Sequence, residues 1–159
     1  KGKSEVIIEQ DGRPVAVVMS YERYEALLEE LADLRDGPFA AAELAAWRAD
    51  PTTGQEWEAF LAEVEVSENE PVERWTVIVG RPAAQDMATV AMDVQERLKA
   101  VIGGLLDDPR PHGYRRLSGH EELYRVRAGD WRVIYHIDDS RRLVIVVAIG
   151  PRGQVYREL

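Results

Sequence analysis

The sequence predicts an α+β protein: an antiparallel sheet with two helices packed on one face, preceded by a β-hairpin and an extended helical arm. Three observations lead there. Residues 123–149 hold three apolar runs, Leu123–Arg127, Trp131–Ile137 and Leu143–Ile149, separated by Ala128-Gly129-Asp130 and by Asp138–Arg142, the pattern of a strand meander. Residues 82–107 repeat apolar side chains at helical spacing. Charge divides the chain: residues 1–73 carry six Lys/Arg against eighteen Asp/Glu, and residues 74–159 carry fourteen against eleven, so the net −9 joins a strongly acidic half to a mildly basic one. The 159 residues, 45% apolar, suffice for one domain or two small ones, and the absence of cysteine excludes disulfide scaffolds and thiolate chemistry. No apolar run reaches the ~18 residues that span a bilayer, so a cytoplasmic protein with no membrane partner is expected.

Element by element, Glu5–Gln10 and Pro14–Met19 flank Asp11-Gly12-Arg13 and predict a β-hairpin. Ser20 suits an N-cap for a helix with Tyr24, Leu27, Leu28, Leu31 and Leu34 on one stripe, expected to stop before Gly37-Pro38. A second helix carries Leu44 and Trp47 and ends near Asp50-Pro51. Thr53 and Glu56 stand at capping-box spacing before a third, with Trp57, Phe60, Leu61 and Val64 on its apolar stripe. These helices and a hairpin bury too little among themselves, so their stripes are expected to pack on the second half of the chain. Residues 67–73, with Glu68, Glu70, Pro71 and Glu73, read as a linker. Trp75–Val79 is strand-like, Pro82 suits a first helical turn, and Val94, Leu98, Val101, Ile102 and Leu105 form an amphipathic stripe stopped by Asp107-Asp108-Pro109. Gly103-Gly104 fits a helix end.

The strands carry the chemistry. A two-residue loop at Gly129-Asp130 pairs Ala128 with Trp131, Arg127 with Arg132 and Arg125 with Ile134. Alternation then sets Arg125, Arg127 and Arg132 on one face, and Tyr124, Val126, Val133 and Tyr135 on the other, toward the helices. Like charges opposed across a sheet are unfavourable, so the three guanidiniums call for an anion, unless they are solvated or paired with carboxylates of the first half. Arg152 and Tyr156 follow the last strand. Arginine binds phosphate through two parallel hydrogen bonds and keeps its charge, and nearby cations would make a tyrosine a better base. Such a set could promote attack of an RNA 2′-hydroxyl on its own 3′-phosphate, which needs alignment, charge stabilisation and proton transfer. His136 alternates onto the arginine face, and His112 and His120 precede it in a loop. Without a partner in sequence, none of the three has an assigned role.

Through Leu117-Ser118-Gly119, the run Tyr124-Arg125-Val126-Arg127-Ala128-Gly129-Asp130-Trp131-Arg132-Val133-Ile134-Tyr135, Gly150-Pro151-Arg152 and Val155-Tyr156-Arg157, residues 74–159 resemble a RelE-type toxin of the RelE/ParE superfamily. Through Gly12–Val18 and Tyr21–Glu25, the first half resembles the later part of a Phd/YefM-type antitoxin. The resemblance implies a type II toxin–antitoxin pair in one chain. Residues 1–36 would be an antitoxin remnant, 37–66 an acidic neutralising arm anchored by Trp47, Trp57, Phe60 and Leu61, and 74–159 the toxin. It further implies a ribosome-dependent mRNA endonuclease without metal or cofactor. Arg125 and Arg127 would contact phosphate, Arg132 would stabilise the transition state, Arg152 would lie near the leaving group and Tyr156 near the attacking hydroxyl. Pro151 stands where the family often has a basic residue or histidine, which leaves the general acid and base open.

The implied partners are the arm itself within the chain, and the ribosome and mRNA for the freed toxin, in a bacterial or archaeal cytoplasm. A homodimer through the N-terminal hairpin region stays open. Operator DNA is not expected to bind this chain, because the antitoxin family's first strand and helix would precede Lys1. The alternative from another class is a ParE-like toxin that binds DNA gyrase and cuts no RNA. Such toxins usually lack the full arginine and terminal tyrosine set.

Overall fold

The computed structural model describes residues 5–62 and 74–151. Strands β1 (Val6–Gln10) and β2 (Arg13–Val18) form the expected antiparallel hairpin. Its turn holds Asp11 at φ 52° and Gly12 at φ 73°, the paired left-handed conformations that an Asp-Gly sequence tolerates. Ser20 caps the following helix, its Oγ accepting from the Arg23 N–H at 3.2 Å.

That helix, α1, runs unbroken from Tyr21 to Ala49, so the expected stop before Gly37-Pro38 does not occur. A proline inside a helix costs about 3 kcal/mol, so tertiary contacts must outweigh it. Pro38 and Leu34, whose carbonyl loses its intrahelical donor, both lie on the exposed side. On the inner side Ala32, Asp33, Asp36, Gly37, Ala40 and Leu44 are buried. Gly37 is required for close approach: a Cβ there would lie 2.2 Å from the His120 ring. The hairpin-plus-helix unit and the arm therefore share one helix.

A 3₁₀ turn over Pro51–Thr53 leads into β3 (Gly54–Glu56) and α2 (Trp57–Ala62). Thr53 is not the expected cap, since its hydroxyl donates to the Asp50 carbonyl and Glu56 belongs to a strand. Three residues before a helix were too short a run to signal β3 in sequence. The expected linker, residues 67–73, lies outside the described residues.

The second half supplies β4 (Thr76–Gly80), α3 (Arg81–Thr89), α4 (Met92–Gly104), β5 (Arg115–Arg116), β6 (Leu123–Ala128), β7 (Trp131–Asp138) and β8 (Leu143–Pro151). Pro82 sits in the first turn of α3, and α4 ends at Gly104. The helical pattern breaks at Val90-Ala91, where Gln95 closes the end of α3 by donating to the Met87 carbonyl. The six strands are ordered β3-β4-β8-β7-β6-β5. β6, β7 and β8 make the antiparallel meander, while β4 joins β8 in parallel through the α3–α4 crossover.

Two cores result. Beneath α3 and α4, Val77, Met87, Leu98, Ile102, Val126, Val133, Tyr135 and Val146 pack with Trp57 from α2. On the opposite face, Ala40 and Leu44 of α1 meet Leu117, Leu123, Ile134, Ile145, Val147 and Ala148. A bulge between Ile134 and Tyr135 turns both Val147 and Ala148 toward α1. The sheet is thus sandwiched between the helices of the second half and one helix of the first.

Candidate functional site

The β6–β7 turn places Gly129 at φ 66°, and the register pairs Ala128 with Trp131, Arg127 with Arg132 and Arg125 with Ile134. Arg125, Arg127 and Arg132 therefore share a face, and Tyr124, Val126, Val133 and Tyr135 point into or against the core beneath α3 and α4. Arg125 and Arg132 are nearly inaccessible, with side chains 6% and 4% exposed, whereas Arg127 is 47% exposed.

What covers them is a row of carboxylates on α1. Glu29, Asp33 and Asp36 stand at i, i+4 and i+7, one stripe of the helix. Asp33 Oδ1 lies 2.7 Å from Arg125 Nε and 3.4 Å from Arg132 Nη1. Asp36 Oδ2 accepts from Arg132 Nη1 at 2.9 Å. Glu29 accepts from Arg125 at 3.3 Å and pairs with Arg127 through its other oxygen. Three cations thus face three anions in a site largely closed to water, where a charge without a partner is expensive. Burial pushes the Asp36 carboxyl above its usual range despite Arg132, and Asp33 adds repulsion. Burial likewise draws Arg132 below the ordinary guanidinium value, against the pull of Asp36. Asp36 Oδ1 is buried without a hydrogen-bond donor among the described residues.

Here the sequence pattern misleads at two points. The apolar stripe of the first half of α1 was expected to pack on the second half, yet Tyr24, Leu28, Leu31 and Leu34 are exposed and the charged stripe faces the sheet. The carboxylates that meet the arginines also precede residue 37, outside the segment expected to be the neutralising arm. Asp33 and Asp36 looked like ordinary helix-surface charges. Only their i, i+4, i+7 spacing with Glu29 could have marked a stripe matched to an arginine face.

The remaining candidates distribute as follows. Trp57 is 1% exposed in the core beneath α3 and α4, with Leu61 packed against that core, and Trp47 is half-buried beside the α1 core. The Phe60 side chain, Arg152 and Tyr156 lie outside what is described. His136 is half-buried: Nδ1 donates to the Glu122 carbonyl at 2.9 Å, leaving Nε2 to accept from Arg48 at 3.5 Å. His120 packs on Gly37, and His112 is exposed. No cluster of His, Cys, Asp and Glu suited to a metal occurs among the described residues. No helix among them is long and apolar enough to cross a membrane.

Residues 76–156 match the ParE toxin family of type II toxin–antitoxin systems, and residues 1–54 match the Phd/YefM antitoxin family of the same systems. The chain belongs to the RelE/ParE toxin superfamily, with an antitoxin domain fused ahead of it. Among relatives, Toxin RelE of Mycobacterium tuberculosis is 37% identical over 78 residues, covering 44% of this chain and 80% of that protein. The mRNA interferase toxin RelE of Escherichia coli is 28% identical over 80 residues, covering 48% and 83%. The intact E. coli RelBE toxin–antitoxin complex aligns with a TM-score of 0.43 at 22% identity, over 49% of this chain and 96% of that one. The toxin domain of this chain thus contains the arginine face, and the antitoxin domain contains the whole of α1. Between the two matched segments lie Gln55–Trp75, so Trp57 and most of β3, which complete the toxin's core and sheet, belong to neither.

Proposed function

We propose that the toxin domain is a ribosome-dependent mRNA endonuclease, held inactive in this chain by α1 of the antitoxin domain. The observation that carries the reading is the burial of Arg125 and Arg132 against Glu29, Asp33 and Asp36. A face of three guanidiniums suits an RNA backbone, and the same face covered by three carboxylates has no room for one. In the freed toxin, Arg125 and Arg127 would position phosphates and Arg132 would stabilise charge on the phosphorane as the 2′-hydroxyl gives up its proton and attacks phosphorus; the P–O5′ bond then breaks, leaving a 2′,3′-cyclic phosphate on one fragment and a protonated 5′-hydroxyl on the other. Arg152 and Tyr156 complete the set by their resemblance to the family pattern. An arm tethered in the same chain works at an effective concentration of roughly millimolar, so masking persists until the arm is removed or displaced.

The test compares the native chain with a Glu29→Lys/Asp33→Lys/Asp36→Lys chain in cell-free translation, mapping mRNA ends. Ribosome-dependent cuts bearing 2′,3′-cyclic phosphate, present only in the charge-reversed chain and abolished by a further Arg132→Ala, are expected. Inhibition of gyrase supercoiling by the charge-reversed chain, without cleavage, would instead support a gyrase-binding toxin, the reading favoured by the ParE family match.

A homodimer through the hairpin belongs to the same proposal. Val6, Ile7, Ile8, Val15, Val17 and Val18 are exposed on a two-stranded sheet that is marginal in isolation. Light scattering of the native chain against a Val6→Lys/Val17→Lys variant tests it, with loss of a dimer mass expected.

A further inference from the structure

The Asp33 carboxylate is more completely solvated by protein than a simple ion pair requires. Its Oδ1 faces Arg125 Nε at 2.7 Å and Arg132 Nη1 at 3.4 Å. Its Oδ2 faces the Ser118 backbone N–H at 3.4 Å and the Ser118 hydroxyl at 3.3 Å. The residue is 2% exposed, and every one of these donors belongs to the toxin domain. The backbones that carry these donors are set by contacts within the toxin domain. Arg125 and Arg132 are fixed by the β6–β7 register, and Ser118 sits in a turn closed by the His120 N–H to the Leu117 carbonyl at 3.1 Å. Gly119 follows at φ 81°, a left-handed position that suits glycine. The Arg132 guanidinium, the Ser118 amide and the Ser118 hydroxyl donate to this carboxylate and the Arg125 guanidinium adds its charge at 2.7 Å, so together they make an oxyanion site that α1 fills with Asp33.

We infer that Ser118 is a phosphate-positioning residue of the toxin domain, acting beside the arginines already given that role, and that Asp33 occupies the position where the two Ser118 donors would meet a phosphate. This deepens the nuclease reading and rests on it for the identity of the substrate as an RNA phosphodiester. Neither composition nor strand alternation pointed to Ser118, which lies off the arginine strands. Its backbone N–H donates whatever the side chain, and the hydroxyl adds a second donor on the same side. Phosphate suits the site better than a carboxylate does, because four oxygens and up to two charges can engage donors from two elements at once. The carboxylates of Glu29 and Asp36 flank the position on α1, so a phosphate enters only where α1 has moved or its side chain at 33 has been shortened.

The experiment uses the full chain with Asp33→Ala, titrated with inorganic phosphate, and reads the thermal unfolding midpoint and the ³¹P line width. Phosphate is expected to raise the midpoint of Asp33→Ala with one-site dependence and to leave the native chain nearly unmoved. Adding Ser118→Ala to Asp33→Ala is expected to weaken phosphate binding about tenfold, the loss of a hydrogen bond to a charged group. Adding Arg116→Ala, on the opposite face of β5 beside Tyr124, is expected to change nothing. A dinucleoside monophosphate in place of inorganic phosphate separates a phosphodiester site from one that takes only the free ion. If Asp33→Ala is unfolded, recovery of the far-UV signal on adding phosphate gives the same answer, and Asp33→Ser is a milder second variant.

Equal effects of phosphate on native and Asp33→Ala chains, insensitivity to Ser118→Ala, or rescue by formate but not phosphate would each overturn the inference. The nuclease reading fails separately. Phosphate rescue with no mRNA cuts by the charge-reversed chain keeps the role of Ser118 and removes the nuclease. Cuts that survive Ser118→Ala unchanged keep the nuclease and remove the role of Ser118.

Discussion

The two faces of the six-stranded sheet are covered by different chemistry. Beneath α3 and α4 the contact is apolar, built from side chains such as Leu98, Ile102, Val133 and Tyr135. Beneath α1 it is apolar at one end, around Ala40 and Leu44, and ionic at the other, around Asp33, Asp36, Arg125 and Arg132. An apolar face cannot be bared without losing roughly 25 cal/mol for each Å² returned to water. A face of guanidiniums is well hydrated once uncovered, so the ionic end of α1 is the part of its contact that separates at the smaller cost. The difference separates helices held to the sheet by apolar burial from one held at one end by ion pairs, which is the end the proposed masking depends on.

The sharpest way to break this comparison is at Trp57, which comes from the arm yet lies in the permanent core. Trp57→Ala should destabilise the chain by about 3–5 kcal/mol, measured by denaturant unfolding. A loss confined to α1 protection in hydrogen exchange, with the sheet intact, would place Trp57 with the mask instead.

Next comes the close approach of α1. Gly37→Ala drives a Cβ into His120, so overpacking of about 1–3 kcal/mol is expected to exceed the gain in helix propensity of about 1 kcal/mol. In a double-mutant cycle, His120→Ala should return most of that loss, and additivity of the two changes would show that the ring is not what Gly37 accommodates.

The ionic end makes a prediction about pH. Because the folded-state pKa of Asp36 lies above its unfolded value, the native state holds its proton more tightly, and this group's contribution to stability falls as pH rises through the folded value. Asp36→Asn removes that dependence. The midpoint of the variant minus that of the native chain should therefore grow more positive between pH 4 and 7, and a difference flat in pH would count against a perturbed Asp36.

The smallest effect is expected where α1 ends on the surface. Arg48 pairs with Glu122 at 2.9 Å, but both are exposed, so Arg48→Ala should cost about 0.2–1 kcal/mol and less in high salt. A larger loss would mean that Arg48 matters through His136, which it also reaches.

Much of this was legible from local pattern. The Asp-Gly hairpin, the Ser20 cap, the β6–β7 register and the division of Tyr124, Arg125, Val126 and Arg127 between two faces all follow from turn chemistry and period-two alternation, which act between near neighbours. The arginine face could be read because three cations on one side of a hairpin are a local fact. Its partner could not, because the stripe that meets it is charged and reads as a solvated helix surface. The exposed stripe of Tyr24, Leu28, Leu31 and Leu34 deceived for the same reason: periodicity reports amphipathic character, not which surface will be covered.

By itself, then, the sequence determined the hairpin, the two-part division of charge, the meander and the face on which Arg125, Arg127 and Arg132 stand. The tertiary structure alone decided that α1 runs through Gly37-Pro38, that β3 and Trp57 complete the toxin's sheet and core, and that Ser118 joins the arginines around Asp33. The physical reason is range. Propensity, capping and alternation are settled within a few residues, whereas a proline tolerated in mid-helix needs packing against a distant part of the chain, and a carboxylate buried at Asp33 is stable only once groups 85 or more residues apart have met.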